Sequence, residues 1–74
     1  MKIDGLKLRE AWGSSIVARR EIKKFSGGAL NPGTMANFDC LGTGPAGRFK
    51  VGRKVCYPID EVISWVEDRT EEVG

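Results

Sequence analysis

The sequence predicts a small α+β domain, mostly helical, and three observations predict it. Two short amphipathic segments, 19–26 and 31–41, meet at a tight turn that contains Gly27 and Gly28. Two alternating runs, 48–51 and 54–57, face each other across Gly52-Arg53. A last amphipathic segment begins just after Pro58. The order is helix, turn, helix, β-hairpin, helix, in a chain of 74 residues with room for one small domain.

Residues 1–15 read as a flexible or extended lead-in, because Gly5 and then Gly13-Ser14-Ser15 interrupt any long element. Trp12 is the residue there most able to pack onto the domain. Residues 16–70 form the domain itself, and 71–74 an acidic tail. From Arg19 to Ser26, Ile22 and Phe25 line up with Val17 or Ala18 on one helical face. Gly27-Gly28 end that helix, since glycine reaches left-handed backbone at little cost. Asn31 is an expected N-cap, with Pro32 at the first helical position, where a missing N–H costs nothing. Met35, Phe38 and Leu41 give the second helix an apolar stripe that reads as core, and Asp39 reads as a solvated helix residue.

Residues 42–47 are a loop by composition. Arg48-Phe49-Lys50-Val51 and Lys54-Val55-Cys56-Tyr57 alternate around Gly52-Arg53, which is the pattern of a β-hairpin. Pro58 ends the second strand. Asp60 is expected to cap the last helix, with Glu61 in its first turn. Val62, Ile63 and Val66 share a face behind Ile59, and Trp65 flanks it.

Composition narrows the function classes. The chain has no histidine, the commonest general base and metal ligand. Its two cysteines, Cys40 and Cys56, are too few for a disulfide scaffold, and both read as small buried hydrophobes. No apolar run approaches the ~20 residues of a membrane span, and nothing reads as a signal peptide. The expectation is a cytoplasmic, non-enzymatic protein with no cofactor, no metal and no membrane contact.

Charge is divided along the chain. Residues 1–54 hold eleven Lys/Arg and four Asp/Glu, whereas 55–74 hold one Arg and six acids. Such a split suggests a basic working face and an acidic end, with clustered surface charge as the plain alternative. Arg19, Arg20, Lys23 and Lys24 lie on the first helix. Arg48, Lys50, Arg53 and Lys54 decorate the hairpin. The second helix between them is nearly uncharged. Two helices joined by such a turn and followed by a hairpin have the form of a winged helix-turn-helix. In that form the cations grip phosphates, and the second helix reads base edges in the major groove of double-stranded DNA. Asn37 is the first candidate for base contact, since an Asn amide can pair with an adenine edge. Thr34 and Asn31 follow, although Asn31 serves equally as a helix cap and Thr34 equally as a phosphate contact. Arg53, at the hairpin tip, suits a narrow minor groove.

The segment 16–69 resembles the small winged helix-turn-helix proteins of the MerR-like superfamily, in particular phage-type excisionases and AlpA-like regulators. The resemblance lies in Val-Ala-Arg-Arg-Glu-Ile, in Asn-Pro-Gly-Thr-Met, and more specifically in Arg-Phe-Lys-Val-Gly-Arg-Lys-Val and Pro-Ile-Asp-Glu-Val-Ile-Ser-Trp-Val. It implies an accessory protein of a phage or other mobile element that bends DNA and assists an integrase, or recombinase, toward excision without cutting DNA itself. Members often carry Arg or Lys where this chain has Pro32, Gly33 and Asn37, so the load shifts toward the hairpin and the first helix. A lone small module buries only ~600–1,000 Å² on DNA, which favours self-association on adjacent sites or contact with another protein. The acidic last helix, with Asp60, Glu61, Glu67 and Asp68, is a candidate surface for that contact, and ordinary solubility explains its charge equally well. Two alternatives stay open: a transcriptional regulator on the same fold, and a protein-interaction module such as an antitoxin or assembly adaptor.

Overall fold

The structure is a computed structural model that describes residues 5–70. Within those residues the chain is α+β, with four α-helices and one antiparallel sheet of three strands. Helix α1 (Gly5–Trp12) leads to strand β1 (Ile16–Ala18), a 3₁₀ turn (Arg19–Glu21) and the short α2 (Ile22–Phe25). Helix α3 (Pro32–Cys40), strands β2 (Phe49–Val51) and β3 (Lys54–Pro58), and helix α4 (Ile59–Asp68) follow. No described helix is long and apolar enough to cross a membrane.

The lead-in is the first correction. Gly5 and Gly13 bound a helix instead of breaking one, and only residues 1–4 of the expected extended segment lie outside the described residues. Eight residues would be marginal as an isolated helix, so packing must hold them. Leu8 and Trp12, one turn apart, rest on the core. Trp12 meets Phe25 edge-on at 5.4 Å between ring centroids, and its indole N–H donates to the Ile16 carbonyl at 2.8 Å. Glycine at position 5 permits the approach to α4, because a Cβ there would stand 2.7 Å from Ile63 Cγ2. The expected acidic tail, 71–74, lies outside the described residues.

Ile16–Ala18 is not the lead into a helix but a third strand. It pairs with β3 in the register Ile16↔Pro58, Val17↔Tyr57 and Ala18↔Cys56. Three residues carry too little alternation to announce a strand, and only the partner defines one.

The helix expected over 19–26 is shorter: Arg19–Glu21 form a 3₁₀ turn and only Ile22–Phe25 are α-helical, while the glycine turn and the start of α3 form where the sequence places them. Helix α2 closes with Gly28 N–H bonded to the Lys23 carbonyl at 2.8 Å and Gly27 N–H to that of Lys24, a Schellman ending with Gly27 at φ 65°. Ser26 Oγ accepts from Leu30 N–H at 2.9 Å and ties the turn across its base. Asn31 Oδ1 then accepts from Thr34 N–H at 2.9 Å, which makes Asn31 the N-cap of α3.

The apolar stripe of α3 is only partly realised. Met35 is fully buried and Phe38 half-buried, but Leu41 is 69% exposed. The helix ends at Cys40, so Leu41 sits in its C-cap and turns outward. Cys40 is exposed, against expectation, because it lies five residues from Met35 and so on another face. Cys56 is buried, as read.

The hairpin turns on Gly52-Arg53, with Val51↔Lys54 as the closing pair. Gly52 has φ 63° and Arg53 a negative φ, the signature of a two-residue type II′ connection. Strand β3 runs through Pro58 and passes directly into α4, with Pro58 in the cap position and no side-chain cap bond. Asp60 is therefore helical and not the cap. It forms an ion pair with Arg9 of α1. The core is Val17, Ile22, Phe25, Met35, Tyr57, Ile59, Val62 and Ile63, drawn from β1, α2, α3, β3 and α4.

Candidate nucleic-acid interface

Helix α3 is placed by two brackets at consecutive residues, Phe38 and Asp39. Phe38 meets Trp65 of α4 edge-on at 5.1 Å, and the Arg69 guanidinium stacks 4.7 Å from the Phe38 ring centre and 4.5 Å from that of Trp65. Trp65 Nε1 and Arg69 Nη2 both donate to the Thr43 carbonyl, at 2.8 and 2.9 Å. The loop after α3 is thus pinned to α4.

The second bracket corrects the reading of Asp39. It is not solvated but 6% exposed. Its Oδ2 accepts from Arg19 Nη2 at 2.6 Å and from the Tyr57 hydroxyl at 2.5 Å. Tyr57 in turn accepts from Arg19 Nε at 3.0 Å. Burial pushes the Tyr57 phenol above its ordinary value near 10, and the bond that Arg19 donates to the Tyr57 oxygen holds Arg19 above its own ordinary range. Asp39 is the one charged residue of α3, and here its charge is withdrawn from the surface and paired. Sequence periodicity did carry a hint: Asp39 lies four residues after Met35, on the inward face.

Arg19 therefore serves this ion pair, and of the first-helix cations Arg20, Lys23 and Lys24 are left exposed. Arg48, Lys50, Arg53 and Lys54 are exposed in and beside the hairpin. They do not share one outward side. Lys50 pairs with Val55, on the sheet face that Val17 and Tyr57 turn toward the helices. Lys54 pairs with Val51 on the opposite face, and Arg53 stands at the tip between them. The hairpin thus presents cations on both sides and at its end. On α3, Asn37 is exposed, Thr34 is half-buried, and Asn31 is exposed with its Oδ1 committed to the cap.

One other concavity lies nearby, an open groove of about 660 Å³ bordered by Leu8, Phe25, Leu30, Trp65 and Val66. Its walls are chiefly apolar. Among the described residues no three His, Cys, Asp or Glu side chains come together as metal ligands.

No family model, curated protein or solved structure matches the chain.

Proposed function

We propose that this chain binds double-stranded DNA as a winged helix-turn-helix module and performs no catalysis. The observation that carries the reading is the charge state of α3. Its one acid is buried against Arg19, so the exposed part of α3, Asn37 included, carries no charge, and along the chain the helix lies between two groups of exposed cations. Arg20, Lys23 and Lys24 lie before it in the chain, and Arg48, Lys50, Arg53 and Lys54 after it. Phosphate clamps around a neutral helix suit groove entry, in which cations give affinity and amide side chains give choice. Lys50 lies on the sheet face that Val17 and Tyr57 share, and Arg53 at the tip is the reach into a minor groove.

The resemblance to excisionases and AlpA-like regulators adds the context of a mobile element. In it the chain acts as an accessory factor that bends DNA near an attachment site and assists an integrase, acting from the cytoplasm and in several copies. Transcriptional regulation uses the same surface and is separated from excision by a recombination assay with the matching integrase.

The primary test is a duplex-binding titration at several salt concentrations. Engagement of ~4–5 phosphates gives a log–log slope of about −3 to −5. If no duplex is bound at low salt, the reading fails, and the protein-interaction alternative takes its place.

A further inference from the structure

The Asp39–Arg19–Tyr57 triangle is an unusual object for so small a core. It joins three elements: the 3₁₀ turn, α3 and β3. Breaking a buried ion pair is costly, but replacing it whole with apolar residues of similar size often leaves a protein equally stable or more so. Stability alone therefore does not account for its presence. A set of short directional bonds does what apolar packing cannot: it fixes angle as well as distance.

The surroundings reinforce this. Asp39 Oδ1 is buried and has no hydrogen-bond partner among the described residues. The carboxylate lies so close to Gly44 that a Cβ at that position would stand 2.1 Å from Oδ1. Glycine at 44 is what lets the α3–β2 loop close over the carboxylate. With Oδ1 closed in against Gly44, both short bonds fall on Oδ2 and the orientation of the carboxylate is fixed.

Its position gives the constraint leverage. Asp39 lies two residues from Asn37, and Tyr57 lies four residues along β3 from Arg53 at the hairpin tip. Four strand residues span about 13 Å, so a tilt of about 10° at Tyr57 carries the tip by about 2 Å. With the tip held on the duplex backbone, an offset of that size falls on α3 instead and breaks a hydrogen bond from Asn37 to a base edge. It matters far less to the attraction between a flexible cation and a phosphate, which falls off gradually with distance.

We propose that Asp39, Arg19 and Tyr57 form a positioning latch that sets α3 against the hairpin, so that the latch governs sequence discrimination more than duplex affinity. The inference rests on the DNA-binding reading above. All three are positioning residues, and none contacts DNA.

The test uses the full chain and two duplexes, one selected by the wild type from a randomised pool and one of scrambled sequence. The wild type is compared with Tyr57→Phe and with the exchange Arg19→Met/Asp39→Leu made in the Tyr57→Phe background, which keeps the site filled and removes its charges and the buried hydroxyl together. A urea melt establishes that each variant is folded. The triple exchange is expected to stay folded and to weaken binding to the selected duplex about five- to tenfold, the scale of a lost base contact. Binding to the scrambled duplex stays within about twofold with the same salt slope, because no phosphate contact is lost.

A merely structural role moves stability and leaves the ratio of the two affinities alone. A folded exchange variant with wild-type discrimination overturns the latch, as does equal weakening on both duplexes. Tyr57→Phe supplies the same comparison if the triple exchange does not fold. A wild type that binds duplexes but selects no sequence overturns the latch and leaves DNA binding standing. A wild type that binds no duplex at low salt overturns both.

Discussion

Asp39 accepts two short bonds on one oxygen, and removing it leaves the Arg19 guanidinium and the Tyr57 hydroxyl without their acceptor. Loss of one partner of a buried pair is typically strongly destabilising. The Arg19 side chain is one quarter exposed and can recover some hydration, so Asp39→Ala is expected to cost about 3 kcal/mol in urea denaturation, the lower end for such pairs. Tyr57 adds a pH dependence. Its phenol is held neutral by burial, so the folded chain keeps a proton that the unfolded chain releases near pH 10. The stability this supplies is present below that pH and is lost as pH rises through the higher folded value. The stability gap between wild type and Tyr57→Phe should therefore narrow as pH rises above about 10, the ordinary tyrosine value. A constant gap above that pH contradicts the assignment.

At the level of elements, α3 is held from both ends. Its start depends on the Asn31 cap, and Asn31→Ala should lower stability by about 1 kcal/mol in the same denaturation measurement. Asn31→Gly should recover most of that, since glycine is nearly as good a cap and the packing is untouched. Its end depends on Arg69, stacked on Phe38 and Trp65 and bonded to Thr43. Helix α1 is the element with least intrinsic support. It stays in place through Trp12 on Phe25, Arg9 with Asp60, and the close approach at Gly5. Asp60, one acid of the last helix considered above as a contact surface, is thus already paired with α1 within the chain itself.

For the molecule as a whole, the proposed interface assigns the phosphate contacts to Arg20, Lys23, Lys24 and the hairpin cations, since Arg19 is held by Asp39. Arg53→Ala and Lys50→Ala should weaken binding to every duplex sequence and reduce the salt slope by about 1 each if each grips one phosphate. Asn37→Ala should leave that slope unchanged and relax sequence choice. These outcomes are read by anisotropy titration on selected and scrambled duplexes. An unchanged preference in Asn37→Ala removes it from the base-reading role.

The sequence by itself determined the elements whose causes are local. The Asn31-Pro32 start of α3, the Gly27-Gly28 stop of α2, the Gly52-Arg53 reversal and the amphipathic α4 each depend on a few adjacent residues, and each was legible. The exposed cations were legible too, as residues. Tertiary structure decided what depends on distant partners. Strand β1 exists because β3 lies beside it, and α1 is a helix because α4 and Phe25 receive its apolar face. Asp39 faces inward because Arg19 and Tyr57 compensate its charge across 20 and 18 residues of chain. Burying a charge is decided by the partners that meet it, and no local pattern encodes their arrival.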